Sequence, residues 1–415
     1  MKIFKTNILR AAAVLLAAIS ITVNAQDVRS PYSRFGYGLL NDNATSAQSA
    51  MGGVGYAMNS GRQINVMNPA SYANCDSLTF LFDIGMDYTS LWSREGNESG
   101  TSSSGGLQYI TMQVPLTKYL GASLGLLPYS SVGYAFGGTI DNGADAREGS
   151  GGLNQLYIGI AGKLFKGFSV GANIAYLWGD ATNSAYAYTQ SGATSLFQHV
   201  ISVRDWHLDL GVQYTFPISA KNELSVGAKF SPGKDLRGTS YGIVYDINQD
   251  TQPDTTDRAG LKNHYSLPDT WGVGISYRWN RRLLAEIDFT YQNWESAKFL
   301  SLEGWDRTQF SDRWKVAVGA EYQPNPRGGY LSRITYRLGA YYNHDYVKVK
   351  GNTLGDYGVS CGFGFPVPGF KTIVNLGFDY RYRRAHPDPL IKEQYFNITL
   401  GVNFNELWFW RNKLR

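Results

Sequence analysis

The sequence predicts an all-β chain, a transmembrane antiparallel β-barrel of about 14 strands with an N-terminal hatch or plug segment. Three observations predict it. First, apolar and polar residues alternate with period two through most of the chain. In residues 267–294, Trp271, Val273, Ile275 and Tyr277 alternate with Gly272, Gly274, Ser276 and Arg278. Beyond Asn280-Arg281-Arg282, residues Ala285, Ile287, Phe289 and Tyr291 alternate with Glu286, Asp288, Thr290 and Gln292. Second, the connections between such runs alternate strictly between tight turns and longer polar segments. Third, Gly is 47 of 415 residues, about 11% against a usual ~7%, and aromatics reach 14% with Tyr the commonest. A soluble sandwich would cover each apolar face with a second sheet. Here nearly every strand repeats the pattern, so the apolar face fits lipid and the polar face fits a lumen.

The chain opens with Lys2, Lys5 and Arg10, an apolar run from Ala11 to Ile21, and Val23-Asn24-Ala25. That order predicts a secretory signal peptide over 1–25. Removing its three basic residues lowers the formal net charge from +5 to +2, which offers no nucleic-acid footprint. Residues 26–77 lack sustained alternation and are rich in small residues. Short helices are expected at Ala44–Ala50 and Pro69–Asn74, the second with Asn68 as cap and Pro69 in the first turn. A packed N-terminal hatch is expected there.

The barrel is expected over 78–405, followed by a periplasmic tail, 406–415. Its tight turns (116–120, 165–167, 217–222, 280–282, 324–330, 366–370) would lie at the periplasmic end. Its polar loops (93–105, 138–151, 180–195, 234–261, 298–305, 347–353, 384–390) would lie outside the cell. Localisation in the bacterial outer membrane follows, with outer-membrane lipid as the first partner. Cys75 and Cys361 could pair in an oxidising compartment, although Cys361 shares the apolar parity of Tyr357, Val359 and Phe363, which makes it a lipid-facing or rim thiol.

Residues Leu267-Pro268, Gly274 to Arg278, Asp288, Tyr291 and Trp294 resemble the paired-strand motif of the FadL/TodX family of hydrophobic-compound transporters. Asn68-Pro69-Ala70 resembles that family's hatch motif, while 223–232 and 337–341 resemble other family strands. The opening SPYSRFGYG and the closing WFW-basic tail look like the Bacteroidetes branch of such proteins. The resemblance implies a hatch-plugged barrel of 14 strands that passes small hydrophobic, fatty-acid-like compounds by passive diffusion. Release would be sideways, where a strand is kinked. Pro128, Tyr129 and Ser130 are the candidate kink and lateral gate, because proline removes a ladder donor.

Inward parity places Glu286, Asp288, Arg333, Arg337, Asp379, Arg381 and Arg383 in a candidate lumenal charge network, which could anchor the hatch or hold a polar head group. In the segment 246–257, Asp246, Asn248, Asp250, Asp254 and Asp257 fall on oxygen-donor positions of a calcium loop, though Thr251 replaces the turn glycine. Calcium is thus the one cofactor the sequence suggests. The five histidines form no H-x-x-x-H pair and there is no G-x-S-x-G elbow, so no enzyme is expected. The polar loops favour an alternative, a barrel serving as a subunit or docking partner of a protein secretion or outer-membrane assembly machine.

Overall fold

In a computed structural model, the structure describes residues 30–77, 79–140, 143–189, 194–246, 254–300 and 308–407, without side chains at 140, 189, 245–246, 254–259 and 407. The expected signal peptide and most of the C-terminal tail therefore lie outside the described residues.

The alternating runs become the staves of one antiparallel sheet. After a two-residue strand β1 (Leu39–Leu40), the wall runs through β2 (Thr79–Glu95), β3 (Glu98–Pro115), β4 (Leu120–Ile140), β5 (Gly143–Phe165), β6 (Phe168–Thr189) and β7 (Thr194–Pro217). The seventh stave is β8 (Glu223–Ser231) continued by β10 (Gly238–Asp246), and the eighth is β11 (Asp254–Gly260) continued by β13 (Thr270–Trp279). The short β9 (Lys234–Asp235) and β12 (Ser266–Leu267) pair with each other off the wall. Then follow β14 (Leu283–Gln292), β15 (Gln309–Phe310) with β16 (Arg313–Tyr322), β17 (Thr335–Val349), β18 (Asn352–Pro366), β19 (Ile373–His386) and β20 (Lys392–Leu407). β20 pairs with β2 from Thr79↔Leu407 to Arg94↔Lys392, closing a barrel of 14 staves.

The β13–β14 hairpin has Ile275 opposite Ile287 and Trp271 opposite Tyr291. Trp271, Val273, Ile275 and Ile287 are about half exposed on the outside, whereas Ser276, Glu286 and Asp288 are buried inside. Period-two chemistry therefore becomes a lipid face and a lumen face, as the alternation predicts.

Several expected outer loops are strand. β2 and β3 meet across Gly96-Asn97, so 98–105 continues the ladder. β5 and β7 run to 23 and 24 residues, more than twice the ~9–11 that cross a bilayer. Runs such as Ser102-Ser103-Ser104-Gly105 carry no apolar face for alternation to reveal, but their backbone groups still pair across the sheet. In contrast, residues 262–269, expected to be strand, leave the wall. Leu261, Tyr265 and Leu267 turn inward into a buried cluster with Trp294 and Tyr346.

Candidate functional site: a polar cavity beside an open seam

Residues 30–77 lie within the barrel and make three kinds of contact with its inner wall. At the far end, Ser30 Oγ donates to Glu393 Oε1 (2.7 Å) and the Tyr32 hydroxyl donates to the Ile391 carbonyl (2.6 Å). In mid-barrel, Asp42 accepts from Arg313 Nη2 (3.0 Å) and Lys315 Nζ (2.6 Å). Burial alone would raise the Asp42 carboxyl, but the two cations outweigh it and hold it well below the usual carboxylate range. At the short-turn end, the one-turn helix Ser46–Ser49 carries a Thr45/Gln48 capping box, and the 3-10 helix Pro69–Asn74 is capped by Asn68, whose side chain accepts from the Ala70 N–H. Both expected helices form.

Two wall carboxylates fix the middle of this segment. Asp288 Oδ2 accepts from the Gly55 and Tyr56 N–H groups (2.7 and 3.0 Å), and Glu286 Oε1 accepts from Ala57 N–H (2.8 Å). These backbone donors belong to no helix or sheet, so the carboxylates meet a need the segment cannot meet itself. Asn68 Nδ2 donates to the Tyr56 and Val212 carbonyls (2.7 and 3.1 Å), tying the segment to β7. The wall has room because it is glycine where the segment touches it. A Cβ at Gly171 would strike the Pro69 carbonyl, and one at Gly227 the Tyr56 carbonyl.

The wall is not continuous. β3 and β4 pair only from Ile110↔Leu126 to Pro115↔Gly121. Above that, the β3 edge from Glu98 to Tyr109 has no partner on β4. The β4 edge is covered instead by the N-terminal segment, with Leu39 opposite Ser131, Leu40 opposite Ser130, and Asn41 N–H donating to the Tyr129 carbonyl. The β4–β5 register slips between Pro128 and Ser130, leaving Tyr129 as a bulge. A crease continues across the neighbouring strands, where Gly152 and Gly179 adopt positive φ (140° and 151°) that other residues rarely take.

A cavity of about 760 Å³ lies between the lodged segment, at Leu39 to Asp42, Ser49, Gly52 and Gly53, and the barrel wall. Ser104 to Gln108 of β3 and Pro128, Ser130 and Ser131 of β4 line its seam side, while Lys315, Tyr341, Asp379 and Arg381 line its inner side. Polar and apolar surface share this lining almost evenly. Toward the far end, Tyr37, Trp294, Phe299, Phe310 and Tyr346 pack ring against ring at 4.5–5.8 Å.

The residues expected to form one lumenal charge network fall into separate groups. Glu286 and Asp288 hold the N-terminal segment. Arg337 binds Glu321 (2.8 Å) and Asn375 (2.8 Å). Arg383 binds Asp356 (2.6 and 2.9 Å) and lies 3.1 Å from Asp345. Asp379 Oδ1 accepts from Asn397 (2.8 Å), and Arg381 stacks on the Tyr395 ring at 4.0 Å. Arg333 is the exception. It ends a one-turn helix, Tyr330–Arg333, at the short-turn end and stacks on Tyr330 rather than facing the lumen. Strand parity fails there because β17 begins only at Thr335. Asp42, Arg313 and Lys315 were not singled out from the sequence; Arg313 and Lys315 share inward parity on β16, and that signal could have found them. The Asp246, Asn248, Asp250, Asp254 and Asp257 side chains lie outside the described residues, and no metal-ligating cluster occurs among the described ones. Cys75 and Cys361 are both free thiols.

A closed 14-stave barrel with an apolar belt and a polar interior defines an outer-membrane protein with the FadL-type fold. It is similar to the Pseudomonas aeruginosa FadL homologue (12% identity, TM-score 0.62, covering 88% of this chain and 99% of that one). It is also similar to the Pseudomonas putida toluene transporter TodX (14%, 0.61, 89% and 100%) and to the CymD monoaromatic hydrocarbon channel (14%, 0.59, 88% and 99%). No curated protein sequence matches. A family profile described as BamG matches residues 7–415, and the chain belongs to the BamG family.

Proposed function

We propose that this barrel passes small hydrophobic or amphipathic compounds between its interior and the membrane, by passive diffusion through the seam between β3 and β4, with residues 26–77 as the plug. The observation that carries this reading is the cavity itself. It meets the wall where the ladder stops, at Ser104–Gln108 and Pro128–Ser131. Tyr129 and its neighbours would be the gate, since a bulge re-aims a strand without breaking the rest of the sheet. The hydrocarbon transport named for TodX and CymD supports the reading by fold alone.

Gly106 supplies the test. A Cβ there meets nothing within 4 Å, as at the turn residue Gly329. Gly106→Trp should therefore fill the opening without unfolding the barrel. In proteoliposomes, uptake of toluene should drop at least tenfold for Gly106→Trp and stay at wild-type level for Gly329→Trp. Equal uptake by both variants would remove the seam from the route.

A second reading, a subunit or docking partner in secretion or outer-membrane assembly, is favoured by the packed far end. Trp294, Tyr265 and Tyr346 fill the space where a hydrophobic compound would enter from outside. Mild-detergent extraction yielding a stoichiometric protein complex would support it, and an isolated barrel would not.

A further inference from the structure

The cavity holds a set of polar groups whose hydrogen bonds are unfinished. On β19, Arg381 and Arg383 share the inward face two residues apart, yet their surroundings differ. Arg383 is engaged by Asp356 and Asp345 and lies 4.0 Å from Glu393. Arg381 makes no hydrogen bond or ion pair among the described residues. It stacks on the Tyr395 ring, and its buried Nε has no acceptor. Arg381 is half-buried, and closing its Nε off from any oxygen partner is costly. Beside it, Asp379 uses Oδ1 for Asn397 and Tyr341 and leaves Oδ2 buried without a donor. Thr399 Oγ1 on β20 and Ser130 Oγ on β4 are likewise unpartnered, on side chains more than nine-tenths buried. All four residues line the same cavity.

An open cation and an open carboxylate thus face one space from backbone positions about 6.6 Å apart along β19, at ~3.3 Å per residue. A single anion would satisfy Arg381 and leave Asp379 unpaired, and a lone amine would do the reverse. A molecule carrying both charges satisfies both. Leu39, Leu40, Leu107 and Trp178 also line the cavity, among polar residues that include Asp87, Asp180 and Arg204. They offer an apolar path for a tail that would be uncomfortable among the charges.

Resting on the reading of this cavity as a ligand compartment, we infer that it is a head-group site for a zwitterionic amphiphile. The oxyanion lies on Arg381 with Thr399, the ammonium lies on Asp379, and the acyl portion runs out through the β3–β4 seam. A phosphate and an amine separated by two methylenes would carry both charges on one head group.

The test uses the full-length barrel in detergent micelles and measures binding of three short-chain probes: a phosphatidylethanolamine, a phosphatidylglycerol and an uncharged diacylglycerol. Wild type should bind the phosphatidylethanolamine at least tenfold tighter than either other probe. Arg381→Gln and Asp379→Asn should each erase that preference, while Arg381→Lys should restore part of it. Asp379→Asn should leave phosphatidylglycerol binding unchanged, which a merely structural role for Asp379 would not do. Heat-modified mobility of each variant reports whether the barrel is folded, and Asp379→Asn carries the test alone if Arg381→Gln does not fold. Equal binding of all three probes overturns the inference, as does a preference that survives Asp379→Asn. Its failure is separable from failure of the transport reading. Toluene flux through the seam without phosphatidylethanolamine binding sinks the head-group site alone. A phosphatidylethanolamine preference in the wild type together with toluene flux that Gly106→Trp leaves unchanged sinks the route alone.

Discussion

Asp288→Ala gives the sharpest perturbation of the plug. In the wild type, one carboxylate oxygen accepts the Gly55 and Tyr56 N–H groups at 2.7 and 3.0 Å, inside a wall where Asp288 is 3% exposed. Alanine leaves both donors buried without a partner. At about 1–3 kcal/mol for each orphaned group, plug docking should weaken by about 2–6 kcal/mol. Since about 1.4 kcal/mol is a factor of ten, the released population should rise roughly 30-fold or more. The barrel ladder is untouched, because the side chain makes no strand hydrogen bond. Two assays read release: conductance of single barrels in planar bilayers, and trypsin cleavage after Arg62, which sits on the plug with its side chain 75% exposed. Both should rise. Asp288→Asn should fall between, since an amide oxygen can keep the Oδ2 contacts while its nitrogen takes the unpartnered Oδ1 position. Conductance and cleavage equal to wild type in Asp288→Ala would refute the idea that wall carboxylates hold the plug.

Further outcomes follow from the same contacts. Trp294 is fully buried among Tyr37, Phe310 and Tyr346, so Trp294→Ala should cost about 3–5 kcal/mol in the far-end cluster, seen as faster hydrogen exchange at residues 261–267 with the remaining ladder unchanged. The Asp42 carboxyl is held below its ordinary range by Lys315 and Arg313, so its contribution is present at neutral pH, begins to fade below about 3.9, and is lost as pH falls through the lower folded-state value. Plug release measured against pH should therefore separate wild type from Asp42→Asn at neutral pH and bring the two together in acid. Deleting residues 26–77 should raise permeability to small solutes; unchanged permeability would argue against a plug.

How much of this was legible in the sequence differs from part to part. The β13–β14 hairpin was fully legible, because Trp271, Val273 and Ile275 against Gly272, Gly274 and Ser276 state both faces of one strand. Strand number followed from counting the alternating runs, and the alternation of turn lengths assigned the two ends. Asn68 was found because a cap before proline is a local signal. The long outer extensions of β3 to β7 were not legible, since Gly- and Ser-rich runs present the same chemistry on both faces. Nor was the inward detour of 261–267, where apolar residues serve a lumenal cluster and mimic a lipid-facing strand. Inward parity gave Glu286 and Asp288 their side of the wall but could not say that backbone donors awaited them. The unpartnered state of Arg381 depends on which carboxylates its neighbours already hold, and no single strand records that.

The open seam is the feature on which transport and head-group binding both depend, and lipid accessibility measures it directly. In a Cys75→Ser, Cys361→Ser background, a fluorophore placed at Ser104→Cys faces the cavity, one at Val359→Cys faces lipid, and one at Thr290→Cys faces the lumen from the intact opposite wall. With a quencher carried on the lipid acyl chains, the Ser104 label should be quenched nearly as strongly as that at Val359. Quenching at Ser104 no stronger than at Thr290 would mean that the wall is closed between β3 and β4, and would contradict the account.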